Sequence, residues 1–121
     1  MRVIYVHFDA AKNSVAVLPA AEVVFSGDEV VWEVTAKGKS ITAVALVGKK
    51  GTKLFSFGGS AKARHAQKLL NGRAWIHGVA PHVGKGGRAR YEYTVRGIRG
   101  NGKRPIKLDP VIIIVPPEPM G

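Results

Sequence analysis

Four histidines and seventeen clustered lysines and arginines are the residues of this 121-residue chain whose types could do chemistry. His7, His65, His77 and His82 are the candidate metal ligands. His77 and His82 lie five positions apart around Val79-Ala80-Pro81, close enough for one loop to bring them together. Neither has an Asp or Glu beside it in sequence to orient the ring, as metal-binding imidazoles usually do. A coincidental pair of loop histidines is the plainer reading, and no metal or other cofactor is expected. The chain has no cysteine, which removes thiolate nucleophiles, disulfides, iron–sulfur clusters and Cys-based zinc sites together.

Enzyme signatures fail residue by residue. Gly38-Lys39-Ser40 imitates the end of a phosphate-binding loop, but that loop needs a Gly where Glu33 stands. Neither Gly84-Lys85-Gly86-Gly87 nor Gly97-Ile98-Arg99-Gly100-Asn101-Gly102 forms Gly-x-Gly-x-x-Gly, and no Gly-x-Ser-x-Gly elbow occurs. The eight carboxylates include no pair at a spacing suited to acid–base work on a glycoside. The expectation is a protein that is not an enzyme.

Charge is the stronger signal. Lys and Arg number 19 against 8 Asp and Glu, a net charge of +11. Residues 1–36 carry two basic and five acidic side chains, whereas residues 37–107 carry seventeen basic ones against Glu92 alone. Arg88, Arg90 and Arg96 share the outward parity of one strand, and Arg99, Lys103, Arg104 and Lys107 sit in the loop that follows. Lys49, Lys50 and Lys53 form a second cluster. Lys62, Arg64 and Lys68 share one face of a possible helix. Cations so concentrated repel one another unless a polyanion comes close. The partner implied is an acidic protein surface or nucleic acid. Base-specific reading is not expected, because Tyr91 and Tyr93 fall on the core parity rather than among the cations.

The elements that must position these residues read mostly as strands. Val3 to Phe8 is apolar on both parities, as in a strand covered on both sides. Val15–Leu18, Glu29–Val34, Ile41–Val47, Lys53–Phe57 and Ala74–His77 follow, separated by Gly-rich turns. Ala89, Tyr91, Tyr93 and Val95 alternate with Arg88, Arg90, Glu92, Thr94 and Arg96, a half-buried strand. Val111–Val115 is continuous and β-branched, fit for a central strand. Only Ser60–Leu70 reads as helical, with Ser60 as cap and Ala63, Ala66, Leu69 and Leu70 turned inward. Trp32 and Tyr93 are the expected core anchors.

Val24-Phe25-Ser26-Gly27-Asp28-Glu29-Val30-Val31-Trp32 reads as a Gly-Asp hairpin leading to a Trp, Arg90-Tyr91-Glu92-Tyr93-Thr94-Val95 as a Tyr-x-Tyr strand, and Leu108-Asp109-Pro110-Val111-Ile112-Ile113-Ile114-Val115 as a closing strand. Taken in order, these three runs resemble the corresponding elements of the cupredoxin superfamily (plastocyanin/azurin-like). The resemblance implies an all-β Greek-key β-sandwich of seven to eight strands; residues 1–115 read as one such domain, with one short helix near residues 60–70 from its apolar spacing and a Pro-rich extended tail at 116–121 from its composition. It departs from the family at copper. Ser40-Ile41-Thr42 stand where the first His would fall, Val95 where the thiolate would be, and Arg96-Gly97-Ile98-Arg99 follow without a His. A copper-free member is therefore implied, a binding or structural module.

No run approaches the roughly 20 apolar residues that a membrane span requires. Met1–Asp9 lacks the long apolar core and small-residue cleavage site of a signal peptide, so a cytoplasmic location is expected.

Overall fold

The computed structural model describes residues 1–117, and the expected tail falls largely on residues 118–121, outside the described residues. Twelve strands and no helix occur among the described residues. The first six are β1 (Arg2–Asp9), β2 (Ser14–Leu18), β3 (Ala21–Phe25), β4 (Glu29–Lys37), β5 (Ile41–Gly48) and β6 (Ser56–Phe57). The others are β7 (Ser60–Ala61), β8 (Arg64–Lys68), β9 (Arg73–Val79), β10 (Ala89–Arg99), β11 (Ile106–Leu108) and β12 (Val111–Val115). They form two six-stranded mixed sheets. The first runs β2-β1-β4-β9-β6-β7, and the second runs β3-β12-β10-β5-β8 with β11 paired to β10. The architecture is sandwich-like. β1 pairs parallel with β4, and β12 pairs parallel with β3.

Period-two alternation builds the core between the sheets. Ile4, Val6 and Phe8 of β1, Trp32 and Val34 of β4 and Ile76 of β9 point inward from the first sheet. Tyr91, Tyr93 and Val95 of β10, Leu46 of β5, and Ile112 and Ile114 of β12 meet them from the second. Trp32 is surrounded by aromatic rings, with Phe55 and Tyr93 edge-on at 5.7 and 5.9 Å. Tyr91 and Tyr93 stack at 4.7 Å along β10. Gly78 and Gly97 leave room for these rings. A Cβ on Gly97 would stand 2.7 Å from the Phe8 ring, and one on Gly78 2.9 Å from that of Trp32.

Several expectations are corrected. Ser60–Leu70 is not a helix but β7, β8 and their connections, because β8 completes an edge of the second sheet through pairing with β5. The strands number twelve rather than seven or eight. Of Lys53–Phe57 only Ser56–Phe57 is strand, and Ala21–Phe25 is a strand of its own. β1 is covered on one side only, since Tyr5 is 55% exposed on its outer parity.

The Gly-Asp turn is not a hairpin. β3 bonds to β12 in one sheet and β4 to β1 and β9 in the other, so Ser26–Asp28 is an arch across the core edge. Asp28 accepts from Phe25 N at 3.1 Å, and Gly27 adopts φ +82°, which its missing Cβ permits. The Ser26 hydroxyl locks the arch by donating to Pro81 O and accepting from Val83 N.

Candidate functional site

The two outer faces differ in chemistry. Tyr5, Leu18, Trp75 and Val79 are exposed on the first sheet, among Glu29, Glu33 and Arg73. The outer face of the second sheet is basic. Register places Ala66, Ala45, Arg96 and Lys107 in one row across β8, β5, β10 and β11, with Arg64–Val47–Thr94 and Lys68–Ala43–Ile98 on either side of it. Small side chains therefore make a shallow floor, and cations stand around it. Arg96 directly opposes Lys107. Like charges so placed are destabilising in the isolated protein. The Arg96 Nε is also buried without a hydrogen-bond partner.

β10 carries the cations from one end of this face to the other. Arg90 and Arg96 are six residues apart on it, about 20 Å at strand rise. At one end the Lys49–Lys53 loop is pinned to the strand. Thr52 Oγ1 donates to Arg90 O at 2.8 Å and accepts from Glu92 N at 2.7 Å, while Lys49 N and Lys53 N donate to Glu92 O and Arg90 O. Lys50, Lys53 and Arg90 consequently line one open cleft of about 450 Å³ with Thr52 and Glu92. At the other end β11 folds back on β10, pairing Val95 with Leu108 and Gly97 with Ile106. Arg99, Lys103, Arg104 and Lys107 line a second open cleft of about 570 Å³, whose opposite lip is Asn13 and Ser14.

The structure thus gathers seven of the expected cations into two clefts, with Arg96 on the strand between them and Lys49 and Arg88 outside both. Arg88 is exposed just before β10, and Arg99 is the last residue of β10 rather than part of the loop. Arg64 and Lys68 join the same face as strand residues, whereas Lys62 lies in the connection before them. Two acids temper the charge. Arg90 Nη2 meets Glu92 Oε1 at 3.3 Å, and Lys49 Nζ meets Asp109 Oδ2 at 3.7 Å. Asp109 lies in the connection between β11 and β12. The Thr94 hydroxyl donates to it at 2.6 Å and, with Lys49 and Lys107 nearby, holds its carboxyl below the usual carboxylate range. Both ion pairs are exposed, where such contacts contribute little to stability. Asn13, Ser14, Thr52 and Asp109 are the site residues that sequence reasoning missed. Their only signal is turn-forming character, which does not say which cations they will face.

The histidines divide differently from the expectation. His77 does have an orienting carboxylate, since Glu29 Oε1 lies 3.1 Å from its Nδ1 across the β4–β9 pair. His7 bonds the Thr35 hydroxyl at 2.7 Å. His65 stacks on Phe57 at 4.9 Å, and its desolvation together with Lys62 lowers its pKa below 6.5. Among the described residues no three His, Asp or Glu side chains gather as a metal site would require. Val95 is fully buried in the core. Comparison with protein-family models, with curated proteins and with solved structures gives no match to this chain.

Proposed function

We propose that the protein is a non-catalytic, copper-free, cupredoxin-like binding module whose basic face engages an acidic partner surface. The observation that carries this is the Arg96–Lys107 row on the second sheet with Arg64 in the row beside it, flanked by two cation-lined clefts and countered, among the described residues, by Glu92 and Asp109. Folding gains nothing from placing Arg96 opposite Lys107, so the arrangement is explained by a counter-anion from outside. The cupredoxin-like Greek-key reading is supported by the three motif runs falling on β3–β4, β10 and β12 in that order, and by parallel pairing of both terminal strands.

Binding to fluorescent poly-glutamate, measured at several salt concentrations, tests the proposal. Affinity should fall steeply with salt, and replacing Arg99, Lys103, Arg104 and Lys107 with Ser should flatten most of that dependence. Arg73→Ser, on the outer face of the other sheet, should leave it unchanged. No retention of poly-glutamate at low salt would overturn the proposal. Retention of mixed-sequence DNA or RNA alone would put nucleic acid in place of the acidic protein surface.

A further inference from the structure

We infer that the cleft between β2 and the β10–β11 hairpin is a seat for a tetrahedral oxyanion, the phosphoryl or sulfuryl group of an ester. The inference rests on the basic-face reading and narrows it to what the partner must carry at this point. Four cations converge on the cleft, and no carboxylate lines it.

Strand geometry explains why Arg99 is available. Alternation along β10 from Val95 and Gly97 would turn Arg99 into the core. The register with β5 shifts between Ile98 and Arg99, and a bulge of this kind re-aims the following side chain. Arg99 Nη2 then donates to Asn13 Oδ1, which fixes the guanidinium against the β2 lip. Asn13 itself stands at φ +49°, in the left-handed region that Asn tolerates better than most residues. The Arg99 Nε remains buried without a partner. A buried donor left unpaired costs free energy, so a shift of the Arg99 side chain that brought this donor to an anion in the cleft would be favoured.

The charge count selects the ligand class. A carboxylate brings one charge and two coplanar oxygens to four cations. A phosphate or sulfate ester brings terminal oxygens in three directions, and a phosphate monoester nearly two charges, matching an oriented Arg with flexible Lys around it. The cleft, at about 570 Å³, also has room for part of the group that bears the anion.

Amide chemical-shift titration of the full chain tests this, with O-phosphoserine, glucose 6-sulfate and acetate at constant ionic strength. One or both esters should give saturable shifts confined to Asn13, Ser14 and residues 99–108, and whichever binds more tightly identifies the ester. Acetate, a single carboxylate without the multivalency of poly-glutamate, should give at most weak, non-saturating shifts. Arg99→Gln and, separately, Lys107→Gln should weaken binding at least tenfold with shifts elsewhere unchanged, and Lys53→Ser should not. Equal responses to acetate and both esters, or shifts spread over Lys50–Lys53 as well, would mean a diffuse ion atmosphere and overturn the inference. Poly-glutamate binding that persists while the cleft ignores both esters would sink this inference alone. An occupied cleft without poly-glutamate binding would instead sink the acidic-surface reading.

Discussion

The indole Nε1 of Trp32 donates to the phenol oxygen of Tyr93 at 3.0 Å, tying β4 of one sheet to β10 of the other through the middle of the core. Both residues are fully buried, so neither polar group has water as an alternative partner. Tyr93→Phe should therefore cost about 1–3 kcal/mol, the penalty of leaving the indole N–H unpaired rather than the worth of the bond itself. Urea unfolding at neutral pH measures this. A loss below about 0.5 kcal/mol would mean that the indole finds another acceptor.

Tyr91 should behave in the opposite way. Its ring stacks on Tyr93, but its hydroxyl is buried without a partner. Tyr91→Phe keeps the ring and removes the unsatisfied group, so stability should be unchanged or rise by about 1 kcal/mol. Burial also pushes both phenols well above their usual pKa of 10.0. Because the folded values are raised, their contribution to stability is complete below pH 10 and is lost as pH climbs beyond it. Alkaline unfolding followed by circular dichroism should shift upward in the Tyr91→Phe variant.

Gly97 tests the inter-sheet spacing. With a Cβ there only 2.7 Å from the Phe8 ring, Gly97→Ala should cost about 1–3 kcal/mol through overpacking. Combining it with Phe8→Leu should cost less than the two single losses added together, because the smaller side chain removes the obstacle. Strict additivity in denaturant unfolding would show that the clash relaxes elsewhere.

His65 makes stability depend on mild acid. Desolvation against Phe57, with Lys62 adding to it, lowers the folded pKa below the ordinary 6.5. The unfolded chain then binds the proton more readily, so stability is full above about pH 6.5 and declines as pH falls through the folded value. His65→Phe should retain the stack and show a shallower fall in Tm between pH 7.5 and 5. Asp109, whose pKa is lowered from 3.8, contributes only in stronger acid and does not confound that window.

What the sequence made legible is what period two encodes. The parity of residues 89–96 places Tyr91 and Tyr93 in the core and Arg90 and Arg96 outside, and the β-branched run 111–115 lies between two other strands. Residues 60–70 misled because β8 is an edge strand with mostly exposed side chains, so Ala63, Ala66, Leu69 and Leu70 in and around it keep a helical spacing that only pairing with β5 overrides. The cations were visible as composition. Their lip was not, because Asn13 meets Arg99 across 86 positions and nothing local signals the meeting. The Gly-Asp turn was visible as a turn, but whether it joins one sheet or two depends on the strands that flank it.

The parallel pairing of β12 with β3 sets an order of events on the ribosome. β3 precedes β12 by about 90 residues, and its sole strand partner among the described residues is β12, the last of the twelve described strands in chain order. Until β12 has left the exit tunnel, β3 carries an unpaired edge and Val23 has no strand beside it. The β10–β5–β8 part of the second sheet can form as the chain grows, but β12 must slot between β3 and β10 after the other described strands exist. Such late, long-range closure is slow. During that interval the nascent chain is a sticky edge awaiting its clasp, the stage at which a holding chaperone would have the most to do.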